Sequence, residues 1–421
     1  MKVHPHPARA IRRGRLARIL PALERAAAAR CRSLYLVGGC VRDALLGRSL
    51  LDLDLVTEGD PMALARAVAR RLGGTARRPT PFGTCRIDLD QGPRIDLAMA
   101  RREIYSGPAA LPTVSPAPVA EDLLRRDFTV NSMALALAGP GRGEILDPTG
   151  GMNDLRAGLL RLHHGRSLVD DPTRAFRAAR YAARYDLRMA PGWGRALRAA
   201  ARAGAFGRLG SSRLRRELER IWGEEDPSAA LARAARWGLL RRIEGAVTWS
   251  PPVRDAIRRA AGSFAEREAA TPLFFALLLR AAPASARGRL LARLGITGRP
   301  AERILAASGA AERFTAAAAK GRGGRAGEEV FTLIAAWDPL DADAARCSLP
   351  PGAGRRLRGA EMTWARAKPC LGAEDLISLG VPRGPRLGEV LHALRIARAT
   401  GRLRTRARET ALALSLTGRA P

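Results

Sequence analysis

The sequence predicts an α+β fold, with an N-terminal α/β head built on a mixed sheet and an all-helical remainder. Residues 30–100 alternate short apolar segments with helical ones, which is the pattern of a small α/β unit. From about residue 150 onward, Ala-, Leu- and Arg-rich segments with helical period dominate, and no convincing strand is predicted there. The 421 residues are enough for a sizeable core and for more than one packed unit.

The elements of the head follow from local patterns in chain order. A helix over residues 11–30 precedes the segments SLYLVGG (strand), CVRDALLG (helical turn), LLDLDLVTEG (strand), DPMALARAVARRLGG (helix), GTCRIDLDQ (strand) and GPRIDLAMAR (strand). Asp60 is predicted to cap the long helix, and Pro61 suits its first turn because no N–H is needed there. Residues 106–120 are predicted as a mobile loop, and residues 317–329 as a flexible loop between helices.

The charge of the chain indicates a polyanionic partner. Lys and Arg number 72 against 40 Asp and Glu, which gives a formal net charge of +32. All but three of the 72 basic residues are arginine, whose planar fork binds two phosphate oxygens at once. Nucleic acid is therefore the first candidate partner.

Cysteine usage and hydropathy favour a reduced compartment. The five histidines show no zinc-ligand spacing, and no C-x-x-C pair occurs among the cysteines, which are Cys31, Cys40, Cys85, Cys347 and Cys370. The start of the chain lacks the apolar core of a signal peptide, and no apolar run approaches the ~20 residues of a membrane span. The prediction is a cytoplasmic protein with no membrane partner.

Two carboxylates stand out in the second predicted strand. Asp52 and Asp54 are two residues apart, so their side chains point to the same face and can converge on one ion. Such a pair can hold Mg²⁺, which prefers oxygen ligands, and Asp96 is a third carboxylate on a nearby predicted strand. The alternative for a bare D-x-D is that both residues cap a loop or form surface ion pairs.

The neighbouring motifs favour the metal site. Gly38 and Gly39 lie between a strand and a short helix, where bare backbone can approach phosphate. Together, GG-x-VRD, LLG and D-x-D resemble the nucleotidyltransferase motif of the DNA polymerase beta superfamily. They resemble more closely the class II tRNA nucleotidyltransferase and bacterial poly(A) polymerase family. Further similar segments follow: RRDFTVNSMAL (125–135), LDPTGGMNDLRAGLLR (146–161), DDPTRAFRAARYAAR (170–184) and LGAEDLISLGVPRGPRLGEVL (371–391).

Three details of these segments qualify the resemblance. Ser132 stands where the family usually has alanine, and Asp170 where it usually has glutamate. SSRLRRELERIW (211–222) is partly similar to a neck motif that supports the nucleotide pocket. Its Arg213 and Glu217 are spaced i, i+4 and could equally form one surface ion pair.

The resemblance implies a domain order and a set of site residues. The order is an N-terminal helical extension (1–30), catalytic head (31–145), neck (146–222), body (223–345) and RNA-binding tail (346–421). Asp52, Asp54 and Asp96 would be the catalytic carboxylates, and Asp52 and Asp54 the metal ligands. The implied nucleotide-binding residues are Gly38, Gly39, Arg42, Asp43, Arg126, Asp127, Asn131, Asp171, Arg174, Arg177 and Arg180.

Helix geometry suggests how a base could be read without a template. Asp171 and Arg174 are one helical turn apart, and further arginines continue the same stripe opposite an alanine- and Phe176-lined packing face. A carboxylate accepts from the exocyclic amine of cytosine or adenine, and an arginine donates to the adjacent ring nitrogen. Uracil and guanine present the opposite pattern. The alternative is that Asp171 is a plain helix cap and that the arginines are solvated.

The activity that the resemblance implies is Mg²⁺-dependent transfer of CMP or AMP, from CTP or ATP, to the 3′ end of tRNA or another RNA. Complete CCA addition, A addition, CC addition and poly(A) synthesis all remain open, as does the oligomeric state. Two competing classes are a non-catalytic RNA-binding protein on a transferase scaffold and an aminoglycoside-type transferase. The intact carboxylates argue against the first, and the long basic helical part argues against the second.

Overall fold

The computed structural model describes residue 3 and residues 16–29, 33–50, 52–77, 83–90, 92–264, 269–319 and 324–417. The chain divides into two compact units. The first comprises Met1–Leu218 with Ala229–Arg242, and the second comprises Glu219–Ser228 with Ile243–Pro421. The strands all lie in the first unit.

Eleven strands occur within the described residues. They are β1 (Leu34–Val37), β2 (Asp52–Thr57), β3 (Gly74–Ala76), β4 (Thr84–Leu89), β5 (Arg94–Met99), β6 (Arg101–Ile104), β7 (Thr113–Pro116), β8 (Ala134–Ala138), β9 (Ile145–Leu146), β10 (Leu159–Leu160) and β11 (Arg188–Met189). Seven of them form one sheet in the order β3-β4-β5-β2-β1-β8-β9. Within this sheet, as far as the structure describes it, β2 and β5 are the only parallel pair, so the predicted mixed sheet is confirmed.

The helices account for most of the remaining described residues. In the first part of the chain they are α1 (Leu16–Ala28), α2 (Gly39–Leu45), α3 (Pro61–Leu72), α4 (Val119–Leu124), α5 (Gly151–Ala157), α6 (Ser167–Asp170), α7 (Thr173–Arg184), α8 (Trp193–Arg202), α9 (Ala205–Arg208), α10 (Ser211–Trp222), α11 (Pro227–Arg236) and α12 (Leu239–Ile243). They continue with α13 (Pro251–Ser263), α14 (Thr271–Leu279), α15 (Ala284–Arg293), α16 (Gly298–Ser308), α17 (Ala310–Ala319), α18 (Gly324–Ala335), α19 (Pro339–Ser348), α20 (Pro351–Arg366), α21 (Ala373–Ser378), α22 (Pro385–Ala399) and α23 (Arg406–Leu416).

The sheet of the head is buried on both faces at β1 and β8, whereas alternate residues of β2, β4 and β5 are exposed or half-buried on one face. On one face Tyr35, Val37 and Val56 pack with Val119 and Leu123 of α4. Helices α1 and α3 pack against each other and against the sheet. The predicted start of α3 is confirmed, since the Asp60 side chain accepts a hydrogen bond from Met62 N at 2.8 Å and Pro61 opens the helix.

Three expectations need correction. Residues 106–120 are not all loop, because β-branched Thr113 and Val114 lie in β7, which pairs with β6 along the whole strand. Two short strands, β10 and β11, do occur after residue 150, and they are too short to show a period. The predicted loop 317–329 is largely helical, in α17 and α18, and its residues 320–323 lie outside the described part. Residues 11–15 and 30 of the first predicted helix lie outside it as well.

The second unit is helical, and its apolar side chains pack into cores, as amphipathic helices predict. Trp222 stacks on Phe274 with ring centroids 5.1 Å apart. Apolar side chains of α17, α18, α19 and α20 form one cluster around Phe314, and Leu376, Val390 and Leu394 belong to another. Among the described helices, none has both the length and the apolar character that crossing a membrane requires.

Candidate active site

The predicted metal-binding carboxylates, Asp52 and Asp54, lie on one face of β2, because alternate side chains of a strand point to the same side. Leu53 and Leu55, which alternate with them, are buried on the other face. Asp96 on β5 is the register partner of Asp54 in the parallel pair. The sheet therefore brings the three predicted catalytic carboxylates onto one surface.

Arginines pair with two of these carboxylates but not with the third. Arg94 Nη2 lies 2.8 Å from Asp52 Oδ2, and Arg94 Nε lies 3.4 Å from Asp96 Oδ2. Arg86 Nε lies 3.0 Å from Asp96 Oδ1. Within the described part of the chain, Asp54 forms no ion pair, so its charge is left for a ligand.

The pKa of Asp54 is raised above its ordinary value. Loss of water around the carboxyl group is the largest cause, Arg126 opposes the shift, and the negative charges of Asp96 and Asp52 add to it. Because the residue is exposed, the like charges are the cause that its geometry supports most directly. Carboxylates that repel each other in this way gain free energy when a cation binds between them.

The donor chemistry of Asp52 and Asp54 fits a hard divalent cation. Within the described residues, no three His, Cys, Asp or Glu side chains are assembled to hold a metal ion. Asp96 is engaged by Arg86 and Arg94 instead. The chain would therefore supply two carboxylates, and the other ligands have to be substrate oxygens or water.

The glycine turn that precedes α2 forms one wall of a cleft beside these carboxylates. Gly38 has a φ of +66°, a left-handed conformation that glycine adopts without strain, and its N–H donates to Met133 O at 3.0 Å. A Cβ at this position would lie 2.6 Å from Arg126 Nη1. The backbone angle favours glycine here, and a Cβ would also displace the end of the Arg126 side chain.

Arg42 and Asp43 do not line the cleft, and their side chains form contacts within the fold. Arg42 is 3% exposed, and its Nε and Nη2 donate to the Asp43 carboxylate at 3.0 Å. Its guanidinium also donates to Asn131 Oδ1 and to the Tyr185 hydroxyl, and it lies over the Tyr185 ring at 4.2 Å. Arg42 thereby joins α2 to Asn131 and to the end of α7.

The RRDFT segment brings two arginines to a buried carboxylate. Asp122 is fully buried in α4, and its two oxygens accept from Arg125 and, at 3.0 Å, from Arg126. Burial works against the charged form, but the two arginines hold the pKa of Asp122 below its ordinary value. Arg125 also reaches Glu103 at 2.9 Å, which connects α4 to β6.

Asp127 is buried, and each of its carboxylate oxygens has a partner. Its Oδ1 accepts from Phe128 N at 2.9 Å and from Asn131 Nδ2 at 3.0 Å. Its Oδ2 lies 2.7 Å from Arg177 Nη2, an ion pair without the angles of a hydrogen bond. Burial opposes ionisation, yet Arg177 and these donors hold the pKa of Asp127 below its ordinary value. An ordinary helix cap does not describe Asp127, because the next residues form only a short 3₁₀ turn, Thr129–Asn131, which has no side-chain cap.

Helix α7 presents the predicted base-reading pair. Asp171 Oδ1 accepts from Thr173 N at 3.0 Å and from Thr173 Oγ1 at 2.6 Å, so Asp171 does cap the helix. Arg174 is 5% exposed and donates to the carbonyls of Ser167 (3.3 Å) and Arg125 (2.9 Å), so the expectation of a solvated arginine is wrong for this residue. The predicted packing face, which includes Phe176, is buried.

Local sequence patterns indicate neither the partner of Arg213 nor a place for Tyr105 around this pair. Arg213 on α10 donates to Asp171 Oδ1 at 2.7 Å and to Ala109 O at 3.2 Å, whereas Glu217 is buried, so a surface ion pair between Arg213 and Glu217 does not describe this helix. Tyr105 donates to Glu103 Oε2 at 2.9 Å. The partial similarity of residues 211–222 to a neck motif was the available signal for Arg213, but no local pattern identifies its partner.

These groups surround one cleft of about 420 Å³ in the first unit. Of the predicted site residues, its wall contains Gly38, Gly39, Asp54, Arg126, Asp127, Asn131, Asp171, Arg174 and Arg177. Asp52, Asp96, Arg42, Asp43 and Arg180 are not in its wall; Arg180 lies over the Tyr181 ring at 4.9 Å. Its further lining residues include Arg101, Glu103, Tyr105, Arg125, Tyr181 and Arg213. The cleft is cationic except for a few placed carboxylates.

A family model described as the poly A polymerase head domain matches residues 34–161. An A-adding tRNA nucleotidyltransferase of Geobacter sulfurreducens is 31% identical over 396 residues, which are 91% of this chain and 45% of the relative. A CC-adding tRNA nucleotidyltransferase of Deinococcus radiodurans is 36% identical over 272 residues, which are 64% of this chain and 68% of the relative. The chain spans under half the length of the Geobacter relative and of two other A-adding relatives.

The fold has a counterpart among solved structures. A CCA-adding enzyme in complex with CTP superposes with a TM-score of 0.80 at 25% identity. The superposition covers 99% of this chain and 98% of that one. The likeness therefore includes both compact units and extends well beyond the head.

Proposed function

Because the chain belongs to the class II tRNA nucleotidyltransferase family, we propose that it transfers CMP and AMP from CTP and ATP to the 3′ end of tRNA. The observation that carries the proposal is the cleft itself. Asp54 of the carboxylate pair and the Asp171–Arg174 pair line one cavity, so a nucleotide held by its base at α7 can direct its phosphates toward β2.

The reaction is a substitution at phosphorus. The 3′ oxygen of the RNA forms a bond to the α-phosphorus, the bond from that phosphorus to the α–β bridging oxygen breaks, and pyrophosphate leaves with the electron pair. The proton of the hydroxyl passes to solvent. Asp52 and Asp54 would hold Mg²⁺, which when bound acidifies the attacking hydroxyl and stabilises charge on the leaving group.

The protein itself contributes position and positive charge. Arg126 is anchored by Asp122 through Nε and Nη2, while its Nη1 lies against Gly38 at the cleft wall. Arg177 is anchored by Asp127, and its Nε is buried without a hydrogen-bond partner among the described residues. We assign both arginines to the triphosphate or ribose, since a pre-oriented cation lowers the barrier of phosphoryl transfer without reorganising.

The choice of base follows from which atoms of Asp171 and Arg174 already form hydrogen bonds within the protein. The hydrogen bonds from Thr173 and Arg213 are accepted by Asp171 Oδ1, which leaves Oδ2 for the exocyclic amine of cytosine or adenine. Arg174 donates to two carbonyls and lines the cleft, where it can donate to the adjacent ring nitrogen. Uracil or guanine would leave buried polar groups unpaired, which costs about 1–3 kcal/mol per group.

A second candidate is addition of the terminal A alone. The observation that favours it is the Geobacter relative, which carries the A-adding description and aligns with 91% of this chain. The Deinococcus relative carries the CC-adding description, so the product has to be decided by experiment.

The test is primer extension with Mg²⁺ on three tRNA transcripts that end before CCA, after the first C and after CC. Each is incubated with CTP, ATP or both. Completion of CCA from the shortest primer, followed by a stop, is the expected result. Extension of the CC-ended primer alone by one A would make A addition the function, and a stop after CC would make it CC addition. Tight tRNA binding without any extension would contradict both and favour an RNA-binding scaffold.

A further inference from the structure

Cys40 lies directly behind the carboxylate pair. It is the second residue of α2 and is 6% exposed, and its sulfur forms hydrogen bonds with the backbone of β2. Asp54 N donates to Cys40 Sγ at 3.3 Å, and the thiol donates to Asp52 O at 3.4 Å. One side chain therefore binds the main chain of both predicted metal ligands.

The sheet explains why this edge of β2 needs a partner. The pairing of β1 with β2 ends at Leu36 and Leu55. Alternate residues of a strand turn their N–H and C=O to the same edge, so the peptide groups of Asp52 and Asp54 face the β1 side, beyond the last β1–β2 pair. The chain has left the sheet there, because it turns at Gly38 into α2.

Backbone groups left unpaired at this point would cost free energy, and they would also leave the strand end free to shift. The Cys40 sulfur occupies the position that the next residue of β1 would otherwise take. It accepts from one peptide group and donates to another, as a strand residue would, although sulfur makes weaker hydrogen bonds than oxygen. The end of β2 is therefore held by a side chain from the first turn of α2.

We propose that Cys40 is a positioning residue, whose thiol fixes the backbone of Asp52 and Asp54 so that both carboxylates can ligate one divalent cation. This inference rests on the proposed function, since it assigns the metal to that pair. Ligand sets tolerate displacements of only about 0.5 Å before affinity falls, and a side chain moves with its own backbone. Cys40 would touch neither metal nor nucleotide.

The test compares Cys40→Ala, Cys40→Ser and a matched control, Cys85→Ala. Cys85 is also a buried free thiol and lies in β4, but its hydrogen-bond partner is Met62 Sδ at 3.8 Å and not the backbone of β2. Serine keeps a donor and an acceptor on a shorter bond, so it should restore part of the effect. The readouts are Mn²⁺ binding by electron paramagnetic resonance, the Mg²⁺ concentration for half-maximal transfer, and the melting temperature.

We expect Cys40→Ala to weaken Mn²⁺ binding and raise the Mg²⁺ requirement by about tenfold, as loss of a residue that orients metal ligands does. Its KM for CTP at saturating metal should stay within about twofold of the wild-type value, Cys40→Ser should be intermediate, and Cys85→Ala should lower only the melting temperature. Equal Mn²⁺ affinity in the Cys40→Ala, Cys85→Ala and wild-type proteins would overturn the inference and leave Cys40 as packing.

The failure of this inference can be told apart from the failure of the proposed function. A wild-type protein that binds Mn²⁺ through Cys40-dependent carboxylates but extends no primer would refute nucleotide transfer alone. A wild-type protein that extends primers with a metal requirement unaltered in both Cys40 variants would refute the positioning role alone. Should Cys40→Ala not fold, Cys40→Ser is compared with Cys85→Ser, because serine keeps a hydroxyl in place of each buried sulfur.

Discussion

Asp127 and Asp54 line the same cleft, but their surroundings shift their pKa values in opposite directions. Asp127 is 4% exposed, with two donors on one oxygen and Arg177 on the other, and its pKa is lowered. Asp54 is exposed, has like charges beside it, and its pKa is raised. The fold therefore compensates the charge of one carboxylate with nearby donors and a cation and leaves the other beside like charges.

The difference indicates how the work of the site is divided. A carboxylate that the protein already satisfies orients its partners and needs no ligand to be stable. A carboxylate held near other negative charges is costly until a cation arrives, which is typical of functional groups. Asp127 is accordingly a support for Arg177 and Asn131, and Asp54 is the group that meets the metal.

The largest effect should come from Asp54→Ala or Asp52→Ala. Loss of a metal ligand removes several kcal/mol of transition-state stabilisation, so nucleotide transfer should fall by at least about 10³-fold. RNA affinity, measured by gel shift at fixed salt, should stay within about twofold because the arginine-rich surface is untouched. A variant with most of its turnover would contradict the metal assignment.

Asp127→Asn should instead damage folding. Removing one partner of a fully buried ion pair costs about 3–5 kcal/mol, and the cost here should be smaller because Arg177 is 31% exposed at the cleft. We expect a lower urea midpoint for this variant than for the wild type. Asp54→Asn should not lower the midpoint, since it relieves repulsion from Asp52 and Asp96. Equal destabilisation by both variants would remove the distinction between the two carboxylates.

The contributions of Asp127 and Asp54 to the stability of the protein should also change with pH in opposite directions. Asp127 has a lowered pKa in the fold, so the stability it contributes is complete above the ordinary Asp pKa and is lost as pH falls through the folded value. Asp54 has a raised pKa, so between the ordinary and the raised value stability decreases as pH rises. Melting temperatures of Asp127→Asn and Asp54→Asn across the acidic range should therefore differ from wild type with opposite slopes, and parallel curves would contradict the assignment.

Local patterns were sufficient for much of this site and failed where contacts are long-range. Period two predicted the shared face of Asp52 and Asp54, and the Asp60 cap followed from an Asp-Pro start. Arg213 could not be paired with Asp171 in advance, because 42 residues separate them and either an i+4 partner or a distant one fits the pattern. Neither the number of cysteines nor their spacing indicates the role of Cys40. Its role depends on where β1 ends relative to β2.

The third effect in size concerns base selection. One oxygen of Asp171 resembles Asp127 and the other resembles Asp54. Oδ1 accepts hydrogen bonds from Thr173 and Arg213, while Oδ2 is left for a ligand. Asp171→Ala should lower the preference for CTP and ATP over UTP and GTP by about 10–100-fold, the value of one charged hydrogen bond. Relative kcat/KM with each nucleotide measures it. An unchanged ratio would make Asp171 a helix cap only.

The smallest effect should come from Arg94→Ala. Arg94 contacts both Asp52 and Asp96, so its guanidinium competes with a cation for these oxygens, but the side chain is 46% exposed and such pairs contribute only about 0–1 kcal/mol. The Mg²⁺ concentration for half-maximal transfer should therefore fall by up to about fivefold. Arg77→Ala is the matched control, because Arg77 pairs with Asp88 on the same sheet. A lower Mg²⁺ requirement in both variants would indicate a general charge effect. A higher Mg²⁺ requirement in Arg94→Ala alone would mean that Arg94 helps to hold the carboxylates in place. In that case Asp54 would be the one metal ligand that forms no ion pair with the protein.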